Sequence, residues 1–306
     1  MGSAAARRRV LRGLGAGREC GFSLVELLAV MAVIAVLSGL LLPTLGRARQ
    51  KAQGVQCLNH HRQLTLAWIN YSFDHSERFP AASASSSEES IPAWMEGWLD
   101  LDPGNRSNWD VSLDIHASPL WPYCGGSSAI FKCPADTSRV EPSSGPFQGR
   151  SVPRVRSMAM SLWFGGFGGA LHHSSPGAES PPWRLYRGLG DLVDPGASRT
   201  TLFWDQREDT INYGNFLVDM SGWSDAPEAT RWQVDLPGSY HGSAGGLSFA
   251  DGHSEIRRWV DGRTMPPLRR GQSWVDDQHA LSQPHNRDIR WLQERATRRL
   301  DASPPP

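Results

Sequence analysis

The feature that most constrains this chain is an apolar run from Phe22 to Leu42, FSLVELLAVMAVIAVLSGLLL, whose sole ionisable side chain is Glu26. At 1.5 Å rise per residue such a helix is roughly 30 Å long, enough to cross the hydrocarbon core of a bilayer. Arg7, Arg8, Arg9, Arg12 and Arg18 precede it and only Glu19 opposes them. That asymmetry orients the N-terminus toward the cytoplasm. A secretory signal peptide is cut after its apolar region, at a small residue. Here the small residue, Gly21, stands before the run, so cleavage there leaves the run in the mature protein. Cys20 also precedes the run, which argues against a lipoprotein anchor.

Glu26 is the anomaly in this segment, because a carboxylate in a membrane helix is costly without a partner and marks a functional position. With Phe22 as the first mature residue, Glu26 is the fifth. Its carboxylate can then meet the free α-amino group of a neighbouring subunit as helices pack side by side.

The stretch Gly21-Phe22-Ser23-Leu24-Val25-Glu26, followed by an uninterrupted apolar helix, resembles the type IV pilin and type II secretion pseudopilin family. The resemblance extends to Pro43, where many members carry a helix-kinking proline. It implies a prepilin peptidase that cuts after Gly21 and methylates Phe22, with Glu26 and Pro43 serving assembly. Other pseudopilin subunits and an inner-membrane assembly platform are the implied partners. The implied location is a single pass through the inner membrane, with the N-terminus cytoplasmic and the head periplasmic or extracellular.

Beyond Pro43, residues Leu45, Ala48, Ala52, Val55, Leu58, Leu64, Trp68 and Tyr71 keep a helical period to about Phe73. Arg47, Arg49, Lys51 and Arg62 occupy other faces, so this half is amphipathic and is expected to pack its apolar stripe on the head. After Pro80 the segment AASASSSEES reads as flexible chain. The expected organisation is a leader (1–21), a transmembrane and stalk helix (22–80), a β-rich head (81–301) and a disordered tail (302–306). The fold class is α+β: a long N-terminal stalk helix packed on a loop-rich antiparallel β head. The 31 Gly, 22 Pro and 13 Trp favour loops with aromatic anchors over a helical bundle.

Short runs rich in β-branched or aromatic residues predict strands over 129–132, 155–163 and 200–204. Leu247 to Ala250 and His253 to Ile256 flank Asp251-Gly252, the preferred pair for a two-residue hairpin turn. That register sets Leu247 opposite Ile256 and Phe249 opposite Ser254, with Leu247, Phe249 and Ile256 on one buried face. His241 precedes Asp251-Gly252 by nine residues, and Cys133-Pro134-Ala135-Asp136 lies upstream. The two segments resemble the H-X9-DG signature and CP-x-D segment of a large bacterial subfamily of prepilin-processed proteins, which implies topology and processing but no activity.

Equal counts of acidic and basic residues, 31 each, argue against a nucleic-acid binder. Cys57, Cys124 and Cys133 remain after the leader, which allows one disulfide in an oxidising compartment. Cys124 with Cys133 closes the shortest loop and is the favoured pair. No CxxC or His pair stands at zinc-ligand spacing. His241, Asp251 and His253 form a weak candidate metal set, outweighed by a plain turn. No cofactor is expected; the resemblance implies calcium as the alternative, with Asp205, Glu208, Asp209 and Asp219 as candidate ligands.

No GxSxG elbow, HExxH pair, phosphate loop or dinucleotide fingerprint is present, so no enzyme is expected. The expected function is a pseudopilin-like subunit of a type II secretion or pilus-like fibre. The alternative is a membrane-tethered carbohydrate- or protein-binding head, with Trp94, Trp98, Trp109, Trp121, Trp163, Trp183 and Trp204 as candidate contact faces.

Overall fold

The computed structural model describes residues 23–84, 91–168, 183–233, 235–272 and 281–300. Gly21, Phe22 and the expected tail at 302–306 lie outside the described residues. Two compact units divide the chain, one ending at Ala48 and one beginning at Arg49. Helix α1, Leu24–Asp74, contributes to both and continues through Pro43.

In the first unit, α1 opens on a capping box, in which the Ser23 N–H and hydroxyl both donate to Glu26 Oε2 at 2.9 Å. The Glu26 N–H donates back to Ser23 Oγ at 3.2 Å. Two of the unpaired donors at the helix start are thereby satisfied. The large apolar residues that follow, from Leu24 to Leu45, are all about half exposed or more. The segment is long and apolar enough to cross a membrane.

In the second unit, the remainder of α1 buries Gly54, Cys57, His61, Leu64, Trp68 and Tyr71. These residues recur every three or four positions and form one stripe. The stripe differs from the expected one at its start: Ala52 and Val55 are exposed. The buried face there carries Gly, Cys and His because it meets a crowded polar cluster, which size and hydrophobicity alone do not reveal. Farther along, Trp68 stacks on Phe79 at 4.2 Å and meets Phe164 edge-on at 5.4 Å, anchoring the helix in the apolar core.

Among the described residues nine short strands build three sheets: β1 Arg139–Val140, β2 Val152–Pro153, β3 Met158–Ser161, β4 Thr201–Asp205, β5 Asn215–Phe216, β6 Arg231–Trp232, β7 Ala244–Phe249, β8 Ser254–Arg258 and β9 Leu281–Ser282. The central sheet has the order β5-β3-β4-β7-β8, and β1-β2 and β6-β9 form two small ribbons. Neighbours are antiparallel except β3 and β5, which run parallel. Helix α2, Arg287–Gln293, closes the unit, with Asn286 capping the N–H groups of Asp288 and Ile289.

Two local expectations are corrected. Residues 128–131 form a 3₁₀ turn rather than a strand, burying Ile130 and Phe131. A short apolar run is compatible with either state until its surroundings decide. The β7–β8 hairpin pairs Leu247 with Glu255 and Ser248 with Ser254, one residue away from the expected register. The Phe249 N–H donates to His253 O and the Gly252 N–H to Phe249 O, so the loop has three residues and ends on Gly252 at φ +100°. The shift moves Ile256 opposite Gly246 and off the face of Leu247 and Phe249.

Candidate functional site

The polar cluster beneath α1 is assembled from four separate segments. Cys57 comes from the buried stripe of the helix. Cys133 opens the CP-x-D loop, which Gln53 holds by donating to Pro134 O at 3.1 Å and His60 holds through Lys132 O at 2.8 Å. Within that loop Asp136 accepts from the Ser138 N–H, and the Cys133 N–H donates to Ser157 Oγ. Asp205 ends β4, and His241 begins the turn into β7, where its N–H donates to Ala244 O.

A bulge aims Asp205. Thr201 pairs with Phe249, but Trp204 pairs with Leu247, so the register slips by one residue between them. Continued one step, the slipped register sets Asp205 beside Gly246, whose N–H donates to Asp205 Oδ2 at 3.0 Å. An unbroken ladder would turn this carboxylate to the opposite face of the sheet.

The contacts within the cluster are close. The Cys57 thiol donates to Asp205 Oδ2 at 3.0 Å. Cys133 Sγ lies 3.3 Å from His241 Nε2, which lies 3.7 Å from Asp205 Oδ2. His61 Nε2 is 3.4 Å from Asp205 Oδ1, near enough for ionic attraction though no hydrogen bond is formed. Asp205 and His61 are fully buried. A side chain on Gly246 has no room here, since its Cβ would stand 2.7 Å from Cys57 Sγ and 2.8 Å from both Asp205 Oδ2 and His61 Nε2.

The charge states follow from these neighbours. Burial raises the Asp205 pKa, but His241, His61 and Cys57 outweigh it and hold the carboxyl well below the usual range. Burial lowers the His241 pKa, but Asp205 and Cys133 overcome it and raise the imidazole to about 9. The Cys57 thiol is pushed far up by its hydrogen bond with Cys133, then by burial and by the Asp205 charge. At neutral pH the cluster is thus a carboxylate–imidazolium pair with a protonated Cys57.

Other sequence candidates are dispersed. Cys124 and Cys133 form no disulfide: both are free thiols, and Cys124 Sγ donates to Leu120 O at 3.1 Å while Cys133 faces His241. The short loop between them folds into consecutive turns that point the two thiols at different neighbours. Asp251 and His253 pair with each other at 2.6 Å on the exposed hairpin loop, apart from the enclosed side chain of His241. Of the calcium candidates, Asp209 is gripped by Arg207 through two hydrogen bonds and Asp219 accepts from Arg231 Nε at 2.8 Å. Burial raises the Glu208 pKa, and Asp205 belongs to the polar cluster. These four acids do not gather on one point.

Trp94, Trp163 and Trp204 are wholly buried, and Trp109 and Trp183 nearly so. Trp98 remains exposed, stacked on the exposed Tyr213 at 5.9 Å and 19°. Cys57 and His61 escaped the sequence reading as site residues. Their signal was the run Gly54, Cys57, His61, which continues the period of Leu64, Trp68 and Tyr71 backwards with small and polar residues.

Residues 17–42 match the prokaryotic N-terminal methylation motif, which is consistent with the prepilin-type pilin and pseudopilin family. No curated protein and no solved structure matches the chain.

Proposed function

We propose that this chain is a non-catalytic, pseudopilin-like subunit that enters a type II secretion or pilus-like fibre after prepilin processing. The observation that carries this reading is the methylation motif at residues 17–42, set on a helical segment whose large apolar residues, from Leu24 to Leu45, are exposed on every side. Such a surface is stable in lipid or against copies of itself, and not in water. Before assembly Glu26 is occupied by Ser23, and docking exchanges that capping contact for the α-amino group of the next subunit. Prepilin peptidase, sister subunits and an inner-membrane platform are the partners in this scheme, with the head outside the cytoplasmic membrane.

Mass spectrometry of the N-terminus from host membranes tests the processing. A chain starting at N-methylated Phe22 is expected, and an intact leader or cleavage beyond Leu42 refutes the scheme. Glu26→Ala should still insert in the membrane but disappear from the sheared-fibre fraction.

The exposed Trp98–Tyr213 stack favours a second reading, a tethered head that recognises a flat sugar or side-chain surface. In that case Trp98→Ala abolishes glycan-array binding and Glu26→Ala leaves it intact.

A further inference from the structure

We propose that Cys57, Cys133, Asp205 and His241 form a closed, structural zinc site that clasps α1 to the head sheet. One ligand atom from each of the four residues lies within 4.8 Å of all the others. A tetrahedron with zinc bonds of about 2.0–2.3 Å has edges of roughly 3.3–3.8 Å. Cys57 Sγ to Asp205 Oδ2 is 3.0 Å, Cys133 Sγ to His241 Nε2 is 3.3 Å, and His241 Nε2 to Asp205 Oδ2 is 3.7 Å. Two of these separations fall in that range and the third lies about 0.3 Å below it, so small shifts complete a ligand shell.

The donor chemistry selects the ion. Two thiolates, an imidazole and a carboxylate suit a borderline-soft divalent ion and exclude magnesium or calcium, which take oxygen ligands. Binding displaces the protons of Cys57, Cys133 and His241 to solvent, leaving two thiolates and a neutral imidazole on the ion. Asp205 Oδ1, buried and without a hydrogen-bond partner, stays free to accept from His61, which thereby acts as a positioning residue for the carboxylate. A Cys57–Cys133 disulfide would use only two of the four donors and leave the Asp205 carboxylate and His241 stranded beside it.

All four positions are filled by protein, with Cys57, Cys133 and Asp205 buried and the His241 side chain 3 % exposed, so the site has no open coordination place for substrate. Its role is mechanical: it ties the helix, the CP-x-D loop, β4 and the turn before β7 to one point. The H-X9-DG histidine and the CP-x-D cysteine thus share one ligand set. The site is independent of the filament scheme and survives its failure.

The test uses the full chain in detergent, stripped with chelator under reducing conditions and titrated with zinc or cobalt(II). One equivalent should bind, and the cobalt form should show thiolate charge-transfer absorption and the intense visible bands of a tetrahedral ion. Cys57→Ser and Cys133→Ser should each lose these bands, while Cys124→Ser keeps them. If a variant fails to fold, the wild-type cobalt spectrum decides alone. A spectrum of free aqueous cobalt, or one lacking thiolate bands, overturns the site, as does a native protein carrying a Cys57–Cys133 disulfide in non-reducing peptide maps.

Discussion

Adding one methyl group at Gly246 tests how tightly the cluster beneath α1 is packed. Ordinary van der Waals contact begins at 3.4 Å, and the new Cβ of Gly246→Ala would stand 2.7 Å from Cys57 Sγ. The sulfur must therefore retreat by about 0.7 Å, and Asp205 Oδ2 and His61 Nε2, each at 2.8 Å, by nearly as much. None of these groups is a flexible surface tip, since all three residues are fully buried. Overpacking of this kind costs about 1–3 kcal/mol. Alanine for glycine also stiffens the unfolded chain, which stabilises by about 0.4–1 kcal/mol wherever the native backbone tolerates it. Gly262→Ala isolates that second effect, because its Cβ would meet nothing within 4 Å and its φ lies outside the left-handed region. The difference between the two variants should be about 1–3 kcal/mol, read from urea midpoints by tryptophan fluorescence and far-UV circular dichroism in the same detergent. If Gly246→Ala matches Gly262→Ala, the close approach of β7 to Cys57 is refuted. If Gly262→Ala by itself loses stability, the unfolded-chain argument fails, whatever Gly246→Ala does.

Two further outcomes concern the head. Trp68→Ala removes a fully buried ring that contacts Phe79 and Phe164, and should cost about 3–5 kcal/mol in the same urea assay. A loss below about 1 kcal/mol would place Trp68 outside the core. Asp235 supplies a pH dependence. Burial raises its pKa from 3.8 to about 7, against hydrogen bonds from the Leu217 N–H, Gln206 and Asn212 that act to lower it. Between those two values the folded chain holds a proton that the unfolded chain has released. Its contribution to stability is therefore complete below 3.8 and is lost as the pH rises toward 7, by up to about 1.4 kcal/mol per unit. Asp235→Asn cannot ionise and should flatten that slope across the same window; an unchanged slope would assign it to another group.

Much of the N-terminal half was legible because its signals are local. Glu26 stands out against an apolar run, and Ser23-x-x-Glu26 spells a capping box in four residues. The α+β class followed from composition and β-rich runs, and of the strands expected over 155–163 and 200–204 the first forms only at Met158–Ser161 and the second at Thr201–Asp205. The hairpin was legible but its register was not, because Asp251-Gly252 serves a two-residue turn and the end of a three-residue loop equally well. Only the pairing of Gly246 with Ile256 selects between them.

The sequence by itself determined the membrane-competent helix, its charge asymmetry and its processing motif, since each depends on residues within a few turns of one another. It also marked His241 and Cys133, without saying what they face. The tertiary structure alone decided that they meet Cys57 and Asp205. Those contacts span up to 148 residues of chain and depend on a one-residue slip in β4 and on the missing side chain of Gly246. A donor set of this kind has no spacing to read, because no two of its members share a helical turn or a strand. Chain closure brings the four together, and long-range packing decides where the chain closes.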